Sequence, residues 1–511
     1  KEFQSEHYLN NWLQSLFNAL QPDLEGKTLV VGGDGRYWNH VAIQVIIKMA
    51  AANGVKKLLI GQNGILSTPA VSAIIRATKS FGGIILTASH NPGGPDEDFG
   101  IKYNNSSGGP AAESVTGEIF KFTESLSEYK IANLPDVNLS ELKEHSFDGG
   151  FTVDVIDSVA IYEETLRKVF DFESIANFLS RKDFKLTLDA LNGVAGPYVT
   201  TIFKQLGVQD EALQHATPKE DFGGLHPDPN LTYASTLVDR MYSGEYDFGA
   251  AFDGDADRNM VLGKNFFVTP SDSLAVIADY AQECIPYFKS GLQAVARSMP
   301  TSAAVDRVAK EKNLTLYEVP TGWKFFGNAM DYYESQNTPN MICGEESFGT
   351  GSDHVREKDG VWAVLAWLSI LSFVNKDTKE GELISVAEIV NKHWKKYGRN
   401  FYSRYDYEQV DSDSANKLME HLVSLQKDLE GKKLGSFEVQ TADEFEYKDQ
   451  FDNSVSSHQG IRFLFTDGSR IIFRLSGTGS TGATIRLYLE QYESDESKFQ
   501  QETKDSLKEL V

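Results

Sequence analysis

Residues 28–86 decide the fold. Thr28-Leu29-Val30-Val31 is a short apolar run that opens into Gly32-Gly33-Asp34-Gly35. Asn39 to Asn53 then reads as a helix, with Gly54 just past its end as the expected stop. Leu58-Leu59-Ile60 is a second apolar run, and Pro69 opens a helix to about Ser80, where proline fits the first turn. Ile84-Ile85-Leu86 is a third run. Runs this short, punctuated by glycine and alternating with helices, predict a parallel, doubly wound sheet. Ahead of it, Leu9, Trp12, Leu13, Leu16, Phe17 and Leu20 follow helical spacing.

The same pattern recurs twice downstream. Lys185 to Leu188 and Phe248 to Phe252 read as buried strands of a second unit. Ala294 to Ala296, Leu316-Tyr317 and Met341-Ile342 suggest a third. Val361 to Val374 is the longest apolar run; at that length it is a core helix, since a bilayer span needs ~20 residues. The last stretch differs. Asp413 to Leu429 is an amphipathic helix, while Ile461 to Phe465, Arg470 to Leu475 and Ala483 to Leu489 alternate as half-buried strands. Asp467-Gly468 is a hairpin turn between the first two. The reading is three related α/β domains, 1–175, 176–288 and 289–398, followed by an α+β domain, 399–511.

Composition agrees. A chain of 511 residues, 41% hydrophobic and 24% charged, is globular and accommodates about three or four domains at ~150 residues each. Its 73 acidic and 49 basic residues leave a net charge of −24, which disfavours nucleic acid and anionic membranes as partners. Two cysteines, Cys284 and Cys343, suggest a reducing compartment and a cytoplasmic protein. The chain opens at Lys1 without an initiator methionine or an apolar signal region, so some N-terminal sequence is expected to be missing.

Four loops carry chemistry. Thr87-Ala88-Ser89-His90-Asn91-Pro92-Gly93-Gly94 follows a buried strand, where open α/β sheets place ligands. Ser89 there is a candidate nucleophile or phosphate carrier; a Ser-His cap in a surface turn is the rival reading. Without a Gly-x-Ser-x-Gly elbow a hydrolase is a weak fit. Asp253-Gly254-Asp255-Ala256-Asp257-Arg258 also follows an apolar strand. Alternation by two would put its three carboxylates on one side of an extended segment, a hard-oxygen set suited to Mg²⁺. An EF-hand fails, because Arg258 and Lys264 occupy the positions that need Gly and Glu. A solvated acidic turn remains the alternative.

Gly344-Glu345-Glu346-Ser347-Phe348-Gly349 offers acids and a hydroxyl for sugar hydroxyls, with Lys358 close downstream; a plain loop fits equally. Arg474-Leu475-Ser476-Gly477-Thr478-Gly479-Ser480-Thr481-Gly482 contains a dinucleotide-fingerprint match, but a strand rather than a helix follows, so that reading is rejected. A hydroxyl-rich loop between Arg474 and Arg486 suits a phosphate. A Gly-rich hairpin turn is its rival. Gly26-Lys27-Thr28 resembles the end of a Walker A motif but lacks the earlier glycine, which is Gln21.

Taken together and in order, the four loops resemble the signature loops of the α-D-phosphohexomutases. Gly61 to Pro69, Arg297 to Ser302 and Thr321 to Asn328 narrow the resemblance to eukaryotic-type phosphoglucomutases, the parafusin type among them. The similarity runs from about Lys1 to Tyr492. It implies a four-domain, heart-shaped enzyme with a central cleft, an intramolecular phosphotransferase of carbohydrate metabolism. It implies Mg²⁺-dependent interconversion of α-D-glucose 1-phosphate and glucose 6-phosphate, with glucose 1,6-bisphosphate as intermediate and activator. By the same resemblance Ser89 is the phosphoserine and a metal ligand beside Asp253, Asp255 and Asp257. Thr321, Gly322, Glu345 and Ser347 hold sugar hydroxyls, Arg258 contacts substrate, and Arg474, Ser476, Thr478 and Arg486 hold the non-reacting phosphate. His90, Lys102 and Lys358 flank the reacting groups; on chemical grounds Lys102 and Lys358 are the candidates to exchange the hydroxyl proton, through a lysine pKa lowered by cationic neighbours.

Two departures stand out. The family's Thr-Ser-Gly-Leu-Arg-Lys-Lys stretch would precede Lys1 and is expected to be truncated or disordered rather than lost. Ala256 stands where the family usually has glycine, which strains the loop if that position needs positive φ. The alternatives are a parafusin-type exocytosis or scaffold role with vesicle or cytoskeletal partners, and a mutase for another hexose phosphate. The assembly is expected to be a monomer or dimer.

Overall fold

The computed structural model describes residues 2–479 and 482–511. In the first unit the strands Thr28–Gly33 (β1), Lys57–Ile65 (β2), Gly82–Leu86 (β3), Ile101–Asn104 (β4), Glu144–Ser146 (β5) and Thr152–Ile156 (β6) form one sheet, ordered β4-β3-β1-β2-β6-β5. Its centre is parallel, as the alternation of strand and helix predicts. Its two edges are antiparallel. The second sheet, β11-β10-β9-β7-β8, joins Leu186–Asp189 (β7), Leu213–Gln214 (β8), Phe248–Phe252 (β9), Asn259–Gly263 (β10) and Phe266–Val268 (β11). The third, β13-β12-β14-β15, joins Ala294–Ser298 (β12), Thr315–Val319 (β13), Met341–Gly344 (β14) and Thr350–Ser352 (β15).

These sheets are mixed rather than purely parallel, and the departure sits where the chemistry is. In each α/β unit a parallel strand runs into a signature loop and the chain returns antiparallel: β3 to β4, β9 to β10, β14 to β15. A hairpin return costs fewer residues than a helical crossover. It also leaves each loop at the carboxyl end of a buried strand.

The fourth unit is an antiparallel sheet covered by the helix Ser412–Leu429. Its strands are Arg399–Val410 (β16), Lys433–Leu434 (β17), Phe437–Glu444 (β18), Ile461–Phe465, Arg470–Gly479 and Gly482–Glu493. Between β18 and Ile461–Phe465 the short strands Tyr447–Lys448 (β19) and Val455–Ser456 (β20) pair with each other, so the last three strands are β21, β22 and β23. The order β16-β23-β22-β21-β18-β17 places β22 and β23 in the centre, joined at the phosphate-loop position. Leu507 and Leu510 of the C-terminal segment pack into this unit's core.

One apolar core runs through the second and third units and includes the helix Gly360–Val374, buried from Gly360 through Leu371. Among the described residues no helix is long and apolar enough to cross a membrane.

Candidate active site

Ser89 sits just past β3 with φ of 54°, a left-handed conformation that is uncommon for a residue carrying a Cβ. Its surroundings hold it there. The Ser89 amide donates to Thr87 Oγ1 at 2.8 Å, and Thr87 Oγ1 donates to Asp34 Oδ2 at 2.6 Å. Asp34 also pairs with Arg36, whose Nη2 donates to the Ser89 carbonyl at 3.0 Å. Both side chains of that ion pair are fully buried. The Ser89 hydroxyl points outward to the second unit and donates to Asp253 Oδ2 at 3.1 Å. Gly254 permits this approach: a Cβ there would stand 2.5 Å from the Ser89 carbonyl oxygen.

The acidic loop is a turn, not the extended segment that alternation predicts. The Ala256 amide donates to the Asp253 carbonyl at 3.1 Å, and Ala256 adopts φ of 62°. The position therefore does need the left-handed region, and alanine carries the strain that glycine would not. The turn achieves the convergence by folding back. Asp253, Asp255 and Asp257 are buried and present oxygens within 4.8 Å of one another. Burial and the charges of Asp255 and Asp257 push the Asp253 carboxyl well above the usual range. Burial acts on Asp255 in the same sense, but the Lys102 ammonium and the Thr68 hydroxyl hold it below its ordinary value. Asp255 Oδ1 and Asp257 Oδ1 are buried and accept no hydrogen bond among the described residues. Two unclaimed carboxylate oxygens in a crowded acidic turn fit a hard divalent cation.

Cations surround the triad. Lys102 on β4 donates to Asp255 Oδ2 at 3.1 Å. Desolvation alone would lower its pKa, but Asp255, Asp257 and Glu357 outweigh that and hold it above the ordinary lysine value. The expectation of a lysine lowered by cationic neighbours is thus reversed at Lys102, because its nearest neighbours are carboxylates. Lys358 Nζ lies 3.6 Å from Asp257 and 3.8 Å from Glu345. Arg258 Nη1 donates to His90 Nδ1 at 2.9 Å. A guanidinium only donates, so Nδ1 accepts and the ring proton sits on Nε2. Burial, then Arg258, lowers the His90 pKa to about 3, so the ring is neutral at physiological pH.

The third loop divides its two acids. Glu346 turns inward, accepting from Ser298 Oγ at 2.9 Å and Thr301 Oγ1 at 3.3 Å. Glu345 faces the triad and accepts the Gly322 amide at 3.1 Å. Beside it the buried Thr321 hydroxyl has no partner among the described residues, and Gly322 adopts φ of 131°. Ser347 is half-buried beside them. The loop is tied to the metal-type loop by the Arg258–Gly349 bridge and by the Asn259 amide donating to the Phe348 carbonyl at 2.9 Å.

In the fourth unit Arg474 and Arg486 stand directly opposite each other on β22 and β23. Like charges at that register destabilise a sheet unless an anion lies between them. Arg474 Nη1 reaches Tyr488 at 3.3 Å, and among the described residues the buried Arg486 Nε makes no hydrogen bond, with Asp406 at 3.6 Å. Ser476 pairs with Thr484 across the strands. The Thr478 side chain lies outside the described residues. This unit is linked to the third unit through Arg470, which donates to the carbonyls of Met299 at 3.1 Å and Thr301 at 2.6 Å in the segment after β12.

The structure thus joins Ser89, the Asp triad, Lys102, Lys358, His90, Arg258, Glu345 and Gly322 by short contacts. Arg474 and Arg486 reach them only through intermediaries. Several supporting residues escaped the sequence reading: Arg36 and Asp34 beneath Ser89, and Thr68, whose hydroxyl donates to Asp255 Oδ2 at 2.6 Å. The Gly-Asp-Gly-Arg run after the first strand was the available signal for the former, and the Gly61 to Pro69 segment, which carries part of the family resemblance, was the one for Thr68.

Models of the phosphoglucomutase/phosphomannomutase α/β/α domains I, II and III match residues 1–130, 161–265 and 269–397, and a model of the phosphoglucomutase-1 C-terminal domain matches 399–511. A cytoplasmic phosphoglucomutase of Mesembryanthemum crystallinum is 58% identical over 538 residues, covering 100% of this chain and 91% of its own. The chloroplastic phosphoglucomutase 1 of Marchantia polymorpha is 58% identical over 516 residues, covering 100% and 78%. The crystal structure of the Paramecium exocytosis-sensitive phosphoprotein pp63/parafusin, a phosphoglucomutase in its open form, matches with a TM-score of 0.91 at 49% identity, covering 100% of this chain and 91% of that one.

Proposed function

This chain belongs to the phosphoglucomutase/phosphomannomutase family, and from that premise we propose that it interconverts α-D-glucose 1-phosphate and glucose 6-phosphate through glucose 1,6-bisphosphate. The observation that carries the reading is the Ser89 hydroxyl, 3.1 Å from Asp253 at a buried carboxylate triad with two unclaimed oxygens.

In this reading Ser89 carries the phosphoryl group. The Oγ–P bond breaks as the free sugar hydroxyl forms its own bond to phosphorus, and the hydroxyl proton passes to a base. The bisphosphate turns over in the cleft, Ser89 takes back the phosphoryl group from the other position, and the proton returns. Asp253, Asp255, Asp257 and Ser89 would hold Mg²⁺, which offsets charge on the transferring group. Lys102 remains an ammonium and stabilises charge rather than acting as base; Lys358 is the lysine left to exchange the proton. Neutral His90 offers Nε2–H to an oxygen, and Arg258 fixes its ring. Thr321, Gly322, Glu345 and Ser347 read sugar hydroxyls, and the unpartnered Thr321 hydroxyl supports this. Arg474, Ser476, Thr478 and Arg486 anchor the non-reacting phosphate. Because either phosphate occupies that anchor in turn, a hydroxyl- and glycine-rich loop suits it better than a rigid cradle.

Four domains at 1–175, 176–288, 289–398 and 399–511 accommodate the four larger sheets and the β19-β20 pair, each of which lies within one of them. A cytoplasmic location is supported by the cytoplasmic relatives, set against the chloroplastic one of equal identity. The test is coupled production of glucose 6-phosphate from glucose 1-phosphate with Mg²⁺ and catalytic bisphosphate. Absence of turnover by the phosphorylated full-length protein would overturn the assignment.

A further inference from the structure

Asp359, next to Lys358, receives more than a helix cap needs. Its Oδ1 accepts the Trp362 amide at 3.0 Å, the ordinary N-cap bond of the helix Gly360–Val374. The same oxygen also accepts the Tyr162 hydroxyl at 2.6 Å, and Oδ2 accepts His354 Nε2 at 2.8 Å. Ser352 Oγ completes the row, 2.8 Å from His354 Nδ1. The His354 ring stacks on Trp362 at 5.8 Å. Ser352, His354, Asp359 and Tyr162 are all buried, so this Ser-His-Asp row has no access to a substrate and is not a nucleophile.

Its position is informative instead. Lys358 Nζ lies 3.6 and 3.8 Å from the nearest carboxylates, too far for firm hydrogen bonds. Its aim therefore comes from the backbone on either side. On one side Glu357 accepts from Asn104 Nδ2 at 2.8 Å. On the other, the Asp359 amide donates to the Thr350 carbonyl at 2.9 Å, and the Gly360 amide donates to the Ala256 carbonyl at 3.1 Å in the acidic loop. Gly360 has no slack: a Cβ there would meet the Arg258 carbonyl oxygen at 2.6 Å. Tyr162 also packs edge-on against Tyr198, whose hydroxyl accepts the Ser67 amide at 3.0 Å, one residue before Thr68 on Asp255. Tyr162 comes from the helix Ala160–Val169, some two hundred residues earlier in the chain.

We propose that Tyr162 and His354 are positioning residues that act through Asp359 to aim the Lys358 side-chain nitrogen at the reacting groups. The inference rests on the proposed role of Lys358 in phosphoryl transfer. Displacing a reacting group by about 1 Å costs on the order of 100-fold in rate. Tyr162→Phe, which removes one hydroxyl, lowers kcat roughly 10- to 100-fold and leaves KM within about twofold. In a Lys358→Ala background the same change has little further effect, because the group it aims is gone. His354→Gln, which keeps an N–H donor, retains more kcat than His354→Ala. The measurement is steady-state glucose 6-phosphate formation by the four single variants and the Tyr162→Phe/Lys358→Ala double variant. Full kcat in Tyr162→Phe, or a loss that persists undiminished in Lys358→Ala, overturns the inference. If Tyr162→Phe fails to fold, the order of the two His354 variants decides, and equal kcat in both overturns it. An inactive parent enzyme instead refutes the proposed function, so the two failures are told apart.

Discussion

Replacing Asp253 with asparagine separates the cost of the acidic turn from its use. The three carboxylates present oxygens within 4.8 Å of one another. Two unit charges at 4.8 Å repel by about 3.5 kcal/mol at an effective dielectric of ~20. Burial and these repulsions already hold the Asp253 carboxyl well above the usual range, so the parent can escape them by taking up a proton on folding, and Asp253→Asn relieves at most about 4 kcal/mol at pH 7 without a cation. The amide is isosteric and its oxygen keeps the bond from the Arg258 amide, 3.0 Å in the parent. With a divalent cation the balance changes. Binding at a hundredfold excess over Kd stabilises the parent by about 2.7 kcal/mol. A neutral amide in place of one ligand weakens that gain. The assay is thermal unfolding of both proteins in chelator and in saturating Mg²⁺. The variant should melt several degrees above the parent in chelator and lose that lead in Mg²⁺. A variant that melts lower in chelator, or an equal Mg²⁺ shift in both proteins, refutes the electrostatic account of the triad.

Two further outcomes follow from other parts of the molecule. Arg486→Gln removes half of the cross-strand arginine pair and should lower kcat/KM for glucose 1-phosphate roughly 10- to 150-fold, the equivalent of ~1.5–3 kcal/mol for a charged hydrogen bond; a change below twofold removes Arg486 from the phosphate anchor. Burial lowers the buried His393 to about 4 against an ordinary value of 6.5, so the unfolded chain binds the proton first as the pH falls. Stability should therefore decline from about pH 6.5 to pH 4 by roughly 3 kcal/mol, and His393→Gln should flatten that decline in denaturant titrations across the range. An unchanged pH slope contradicts it.

What could be read from the sequence was what is written locally. The parallel strands are short apolar runs between glycines, and the core helix Gly360–Val374 is apolar on every side, so both were legible. The antiparallel returns were not. Thr350–Ser352 reads Thr-Gly-Ser, with no apolar character, and is a strand only because Met341–Gly344 pairs with it. The acidic triad is legible from its spacing but its convergence is not: the carboxylates meet through a turn with Ala256 at φ 62°, not along an extended segment. Lys102 was found, but its charge state was misjudged, since its carboxylate neighbours come from other units of the chain. Arg36, Thr68 and Tyr162 act across gaps of 53, 187 and 197 residues, and hydrogen bonds of that reach leave no periodicity to read.

The central claim is that Ser89 carries the phosphoryl group. Intact-mass and peptide-level mass spectrometry of the full-length protein after incubation with isotopically labelled glucose 1,6-bisphosphate tests it most directly. The account predicts one phosphate, on Ser89, that persists through turnover and whose isotopic label passes into the hexose phosphates when unlabelled glucose 1-phosphate is added. A turning-over enzyme that carries no phosphate, or carries it on another residue, contradicts the account.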